Sequence, residues 1–131
     1  MTLKILNINI KQNQIFNKFA KIYFKELNNN FKATKNWKKN RLKELLKKKT
    51  NFVKWITKDK NKIGFFILLK QKNKYTKEKK ILIHDIFILK KYRKKNIGNE
   101  VVRKILKFSK KQKINVSEIE ILLKNKKVYK F

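Results

Sequence analysis

Cysteine and proline are absent from this 131-residue chain, and glycine occurs only twice. Without cysteine there is no disulfide framework and no thiolate metal site. The one histidine, His84, cannot supply a histidine-based metal centre by itself, so no metal is expected. Acids are scarce as well: 8 Asp and Glu stand against 39 Lys and Arg, a formal net charge of +31. No apolar run approaches the roughly 18 residues of a membrane span. The longest, Ile63–Leu69, stops at Lys70, and no membrane partner is expected. The opening residues, Met1–Gln14, show neither the plan of a signal peptide nor the Arg- and Ser-rich bias of a transit peptide.

Lys, Asn, Ile and Phe are abundant, the bias of an AT-rich genome such as that of an organelle, an endosymbiont or a parasite. The expected compartment is therefore the cytoplasm or an organelle matrix. Codon drift does not explain the lack of acids, because Asp and Glu codons can also be AT-rich. A charge of this size attracts anionic polymers even without dedicated contacts. The excess of Lys over Arg favours point-charge contacts to phosphate over bidentate reading of bases. Hydrophobic residues make up 41% of the chain, enough for a folded core rather than a disordered tail. The length suits one domain, residues 1–131.

Along the chain, Leu3–Ile10 alternates like a strand. Ile15, Phe16, Phe19, Ala20, Tyr23, Phe24 and Leu27 form the wide apolar stripe of an amphipathic helix. Asn28–Asn30 ends that helix, since Asn competes for backbone hydrogen bonds and tolerates the left-handed conformation. A second helix is predicted over Trp37–Lys48. Strands follow at Phe52–Thr57, Ile63–Leu69 and Ile81–Leu89, with a turn at Asp59–Lys62 and a loop over Lys70–Lys80. The second and third of these strands are apolar on both faces, as central strands are. A basic loop, Lys90–Gly98, leads to a helix over Asn99–Lys113 and a last strand over Ser117–Leu123. Trp37 and Trp55 read as aromatic core, with stacking on bases or a ligand as the alternative. The adjacent His84 and Asp85 on a central strand have two readings, a hydrogen-bonded core pair or an aid to proton transfer.

A buried strand, a loop and a helix N-terminus make a place for anions, because free backbone N–H groups and the helix dipole converge there. The strand ends Phe87-Ile88-Leu89-Lys90-Lys91-Tyr92, and the loop is Arg93-Lys94-Lys95-Asn96-Ile97-Gly98. This stretch resembles the GNAT acetyltransferase family, in which a hydrophobic-x-Val-x-x-x-(Tyr/His) run precedes (Gln/Arg)-x-x-Gly-x-(Gly/Ala). Asn96 stands at the first glycine; Asn is the residue after Gly that best accepts a positive φ.

The resemblance implies an α/β fold of the α+β type, with a mixed, mostly antiparallel sheet flanked by helices. It implies acetyl-CoA as co-substrate and an amine as acceptor. Backbone groups of Ile86, Phe87 and Ile88 would align pantetheine and polarise the thioester carbonyl. Arg93, Lys94, Lys95, Asn96, Ile97, Gly98 and Asn99 would surround the pyrophosphate. Asn125 and Val128 fall on the family's Asn-x-x-Ala positions. In the ribosomal-protein-alanine acetyltransferases, the subgroup the chain is most similar to, a Glu five residues before that Asn is the general base. Here that residue is Glu120, and the acceptor implied is a protein N-terminus. The ordinary alternative for Glu120 is a solvent-facing strand residue paired with a lysine. The subgroup's proton-donating Tyr would fall one residue past Phe131, so a domain without its last helix and strands is expected. A second reading is a non-catalytic basic protein that binds RNA or belongs to a ribosome, through Arg103, Lys104, Lys107, Lys110 and Lys111.

Overall fold

Alternation and two-sided burial build a single five-stranded sheet, β1 (Leu3–Asn7), β2 (Asn51–Lys58), β3 (Asn61–Lys72), β4 (Lys79–Ile88) and β5 (Ile119–Ile121), in that spatial order. The computed structural model describes residues 3–93, 96–112, 114 and 119–121. The first four strands pair antiparallel and β4 pairs parallel with β5, the mixed, mostly antiparallel sheet that was expected. Helices α1 (Asn13–Leu27) and α2 (Lys35–Lys47) share a core with one face, and α3 (Ile97–Lys111) with the other. This explains the doubly apolar reading of β3. Its Phe66 and Leu68 enter the core under α3, while Phe65 and Ile67 enter the core under α1 and α2.

Element ends differ from the sequence reading for local reasons. β1 stops at Asn7 because Asn9 caps a 3-10 turn, Ile10–Gln12, in a reciprocal capping box with Gln12. α2 starts at Lys35 because the Thr34 hydroxyl accepts the Trp37 N–H. Asn28 ends α1 in an extended conformation, φ −151°, rather than a left-handed one. The β2–β3 turn needs only Asp59 and Lys60, both at positive φ, as a two-residue hairpin turn requires. Asn61 and Lys62 therefore pair with Lys58 and Thr57 instead of looping. Likewise Lys72 pairs with Lys79, so the predicted Lys70–Lys80 loop shrinks to residues 73–78. Backbone pairing runs beyond the apolar stretch because it does not depend on side-chain polarity.

Trp55 is fully buried, donates Nε1–H to Gln12 Oε1 and stacks edge-on against Phe16 and Phe19. Trp37 is half-buried against Phe24 and Phe31. Both tryptophans are thus core, as the sequence reading had them. Among the described residues, no helix is long and apolar enough to cross a membrane.

Candidate active site

A β-bulge in β4 organises the site. Ile67 of β3 lies opposite Asp85, and Leu68 lies opposite Ile83, so His84 is the extra residue. Before the bulge, Ile81 and Ile83 enter the core under α3; after it, Ile86 and Ile88 do. The alternation has shifted by one, which turns Asp85 and Phe87 toward α1 and α2.

There the Asp85 carboxylate is fully buried and fully engaged. The Tyr23 hydroxyl donates to Oδ1 at 2.7 Å, and His84 Nδ1 meets Oδ2 at 2.7 Å. Arg41 Nη2 lies 3.8 Å from Oδ2, its guanidinium stacked on the Phe24 ring at 4.5 Å. Burial pushes the carboxyl pKa up. Hydrogen bonds from His84 and Tyr23, then the charges of His84 and Arg41, outweigh burial and hold it below the ordinary value. Burial also lowers the Arg41 pKa, against the pull of Asp85 and Tyr23. Tyr23 and Arg41 were not foreseen. The available signal was a hydroxyl on an otherwise apolar helix stripe, because a buried Tyr O–H needs a partner.

The outer edge of β4 forms the second part of the site. Pairing with β5 is described only for Ile81, Leu82 and Ile83. Leu89 N–H donates to Ile63 O, so by antiparallel alternation Phe87 also turns its N–H and C=O toward β3. Consistently, a Cβ added to Gly64 would sit 2.0 Å from Phe87 O. The N–H groups of Ile86 and Ile88 therefore face the opposite edge. Of the three residues expected along pantetheine, Ile86 and Ile88 turn their N–H groups to this edge, and Phe87 turns its N–H toward β3.

The strand then runs through a 3-10 turn, Lys90–Tyr92, to the start of α3. Arg93 fastens this segment: its Nε donates to Ile88 O at 2.7 Å and its Nη2 to Glu26 Oε2 at 2.6 Å, with the guanidinium over the Phe87 ring. Asn96 takes the left-handed conformation, φ 60°, as expected of a residue at the first glycine position. Its carbonyl accepts from Glu100 N–H, so the amides of Ile97, Gly98 and Asn99 precede the first intrahelical bond. α3 starts two residues earlier than predicted, which places Ile97 and Gly98 in its first turn rather than in the loop. Ile97 and Gly98 are buried. These bare amides at the positive end of a helix fit the diphosphate of coenzyme A, and the β4 edge leading to them fits pantetheine. Lys94, Lys95, Asn125 and Val128 lie outside the described residues. Of Glu120 only the backbone is described, opposite Leu82, two residues before the bulge.

A groove of about 1200 Å³ runs along α1 and the α1–α2 connection and reaches Leu89, just past β4. Lys18, Lys21, Lys25, Lys32 and Lys38 line it, with no acid among the lining residues. Among the described residues, no cluster of His, Asp and Glu could hold a metal ion.

The sequence model of the acetyltransferase (GNAT) family matches residues 13–131. The solved structures that share the fold include the following three. A GNAT family acetyltransferase from Staphylococcus aureus subsp. aureus USA300_TCH1516 is 21% identical, with a TM-score of 0.76 over 93% of this chain and 87% of that one. The ribosomal-protein-alanine N-acetyltransferase of Brucella melitensis biovar Abortus 2308 is 14% identical, with a TM-score of 0.71 over 92% and 79%. A predicted acetyltransferase with acetyl-CoA from Clostridium acetobutylicum is 12% identical, with a TM-score of 0.71 over 99% and 90%. At these identities the likeness is one of fold. No curated protein sequence matches the chain significantly.

Proposed function

The chain belongs to the GNAT acetyltransferase family, and from that premise we propose that it acetylates an amine on an anionic acceptor, an acidic protein N-terminus first among them. It is an acetyl-CoA-dependent acetyltransferase, and acetyl-CoA supplies the activated acetyl thioester. The Ile86 and Ile88 N–H groups align the pantetheine arm and polarise the thioester carbonyl, an oxyanion-type role. The amides of Ile97, Gly98 and Asn99 hold the diphosphate.

The observation that carries the choice of acceptor is the lysine-lined groove ending at Leu89. A positive wall attracts carboxylates or phosphates near the amine. It also disfavours the ammonium form, which cannot attack a carbonyl. The test is acetylation of two peptides followed by mass spectrometry, one Ala-Asp-Glu-Asp and the other Ala-Lys-Arg-Lys. The acidic peptide should react at least about tenfold faster at low salt, and the gap should narrow as salt screens the groove. Equal rates at low salt would rule out an anionic acceptor.

A second reading, association with RNA, is favoured by the outer face of α3. Arg103, Lys107, Lys110 and Lys111 are exposed there, Lys104 is half-buried, and Glu100 is the helix's single acid. Such a face contacts phosphates without reading bases.

A further inference from the structure

We propose that the tip of the β3–β4 hairpin docks single-stranded RNA, with Tyr75 stacked on a base and the lysines around it on phosphates. The inference rests on association with RNA, the second reading above, and adds the element that meets the bases. Residues 70–80 carry six lysines and a single acid, Glu78. Residues 71–79 are all exposed. Tyr75 keeps 93% of its surface exposed, whereas Leu6 and Ile10, the next most exposed large apolar side chains described, reach 49%. A lone surface aromatic is ordinary, but this one is framed by cations and held from below. Asn73 Oδ1 accepts from the N–H groups of Tyr75 at 2.8 Å and Thr76 at 3.1 Å, and Asn73 O accepts from Lys77 N–H at 3.0 Å. Lys77 closes the loop in the left-handed conformation, φ 65°. The backbone under Tyr75 is thus fixed by its own hydrogen bonds, which lowers the ordering cost of binding through the ring.

The strands below the tip give an independent sign of an anion. Asn73 N–H donates to Glu78 O at 2.8 Å, so by antiparallel alternation the adjoining pair, Lys72 and Lys79, is of the non-hydrogen-bonded kind, in which side chains stand closest. Like charges directly opposed destabilise a sheet. No described acid forms an ion pair with either lysine. A phosphate oxygen between them turns that repulsion into two charge-assisted contacts. Lys70 and Lys72 keep the alternation of Leu68, and Lys79 keeps that of Ile81, so all three lie on the α3 side of the sheet. α3 runs back toward the same end, where its Phe108 stacks on Phe52, the partner of Leu68. The hairpin lysines therefore extend the basic surface of Lys107, Lys110 and Lys111. The amides at the α3 N-terminus lie at the other end of this 15-residue helix, about 20 Å away, so RNA and coenzyme A do not share a site.

The aromatic tip selects among anions. Carboxylates and lipid headgroups satisfy lysines but offer Tyr75 no flat face. Its sequence neighbours, Asn73, Lys74, Thr76 and Lys77, are polar and give it no apolar company for entering a bilayer. Unpaired bases do present a flat face, and a base stacks on an aromatic ring whatever its identity. A duplex hides that face, while loops and single strands are where RNA is ordinarily met through stacking.

Fluorescence anisotropy of the whole chain with a labelled oligoadenylate tests this, beside an abasic strand of the same length, DNA of the same sequence and phosphatidylserine vesicles. Tyr75→Ala should weaken oligoadenylate binding by about 5–150-fold, the worth of one stacked base, and Tyr75→Trp should keep it. The abasic strand should bind wild type and Tyr75→Ala alike. Stacking releases no counterions, so Tyr75→Ala should leave the slope of log K against log salt unchanged. Changing Lys72 and Lys79 together to Gln should flatten that slope by about 1.4. Acetyl-CoA affinity in calorimetry should be the same in all these variants. Equal oligoadenylate affinity in wild type and Tyr75→Ala, with ordinary salt dependence, overturns the hairpin site and leaves the α3 reading standing. Failure of the wild type to bind any RNA ends both. Tighter binding of the DNA strand, or a loss in Tyr75→Ala seen only with vesicles, overturns the choice of RNA.

Discussion

A carboxylate sealed in an apolar interior costs several kcal/mol unless its lone pairs are met, and Asp85 meets that demand with Tyr23, His84 and Arg41. Its depressed pKa makes this a stability statement with a definite sign. The contribution is fully present above the ordinary value of 3.8 and is lost as pH falls through the lower value of the folded state. Tyr23→Phe should therefore destabilise the fold by about 1–3 kcal/mol at neutral pH. The deficit should shrink as pH falls through that lower value, and urea denaturation over a series from pH 7 into acid measures it. A deficit that stays constant for as long as both proteins remain folded in acid, with wild-type stability falling no more steeply than that of the variant, would mean that the hydroxyl does not serve the ionised carboxylate. The sequence made His84 and Asp85 legible as a pair, but not their partners. Tyr23 and Asp85 are 62 positions apart, and the bulge that brings them together leaves no mark in hydrophobic alternation.

Between elements, the site depends on how closely β3 and β4 approach. A methyl group on Gly64 would lie 2.0 Å from Phe87 O and 3.0 Å from Ile88 Cα, backbone atoms that cannot rotate away. Gly64→Ala should cost about 1–3 kcal/mol in thermal or urea unfolding. It should also weaken acetyl-CoA binding, because the displaced segment carries the Ile86 and Ile88 amides. Gly98→Val acts at the other end of the same track. Gly98 is buried in the first turn of α3, beside amides that precede the helix's own bonding. A branched side chain there should abolish acetyl-CoA binding in calorimetry; unchanged affinity would remove the α3 N-terminus from the site. The order of the elements was readable from period alone, since two-sided apolar strands and a wide helix stripe have no competing interpretation. Their ends were not, because Thr34, Asn9 and the ladder through Lys72 and Lys79 set them by hydrogen bonds.

At the scale of the molecule, a net charge of +31 raises the energy of the compact state and lends every anion a long-range attraction. Whether that attraction amounts to RNA binding is decided by its salt dependence. Each phosphate neutralised on a single strand contributes roughly −0.7 to the slope of log K against log salt. The exposed lysines on α3, Lys107, Lys110 and Lys111, share one face with Arg103, while the half-buried Lys104 is partly withdrawn from it. Changing the three exposed lysines together to Gln should flatten the slope by about two units if each meets a phosphate. Preference among RNA sequences should not change, since phosphate contacts position a protein without specifying a sequence. Acetylation of the acidic peptide should not change either, because α3 presents these residues on the side of the sheet opposite α1 and its groove. Filter binding of a single-stranded RNA from low to high salt, run beside the peptide assay, separates the two. An unchanged slope in the triple variant would assign the charge of α3 to composition alone. A fall in peptide turnover with no change in slope would move those lysines from RNA to the acetyl transfer.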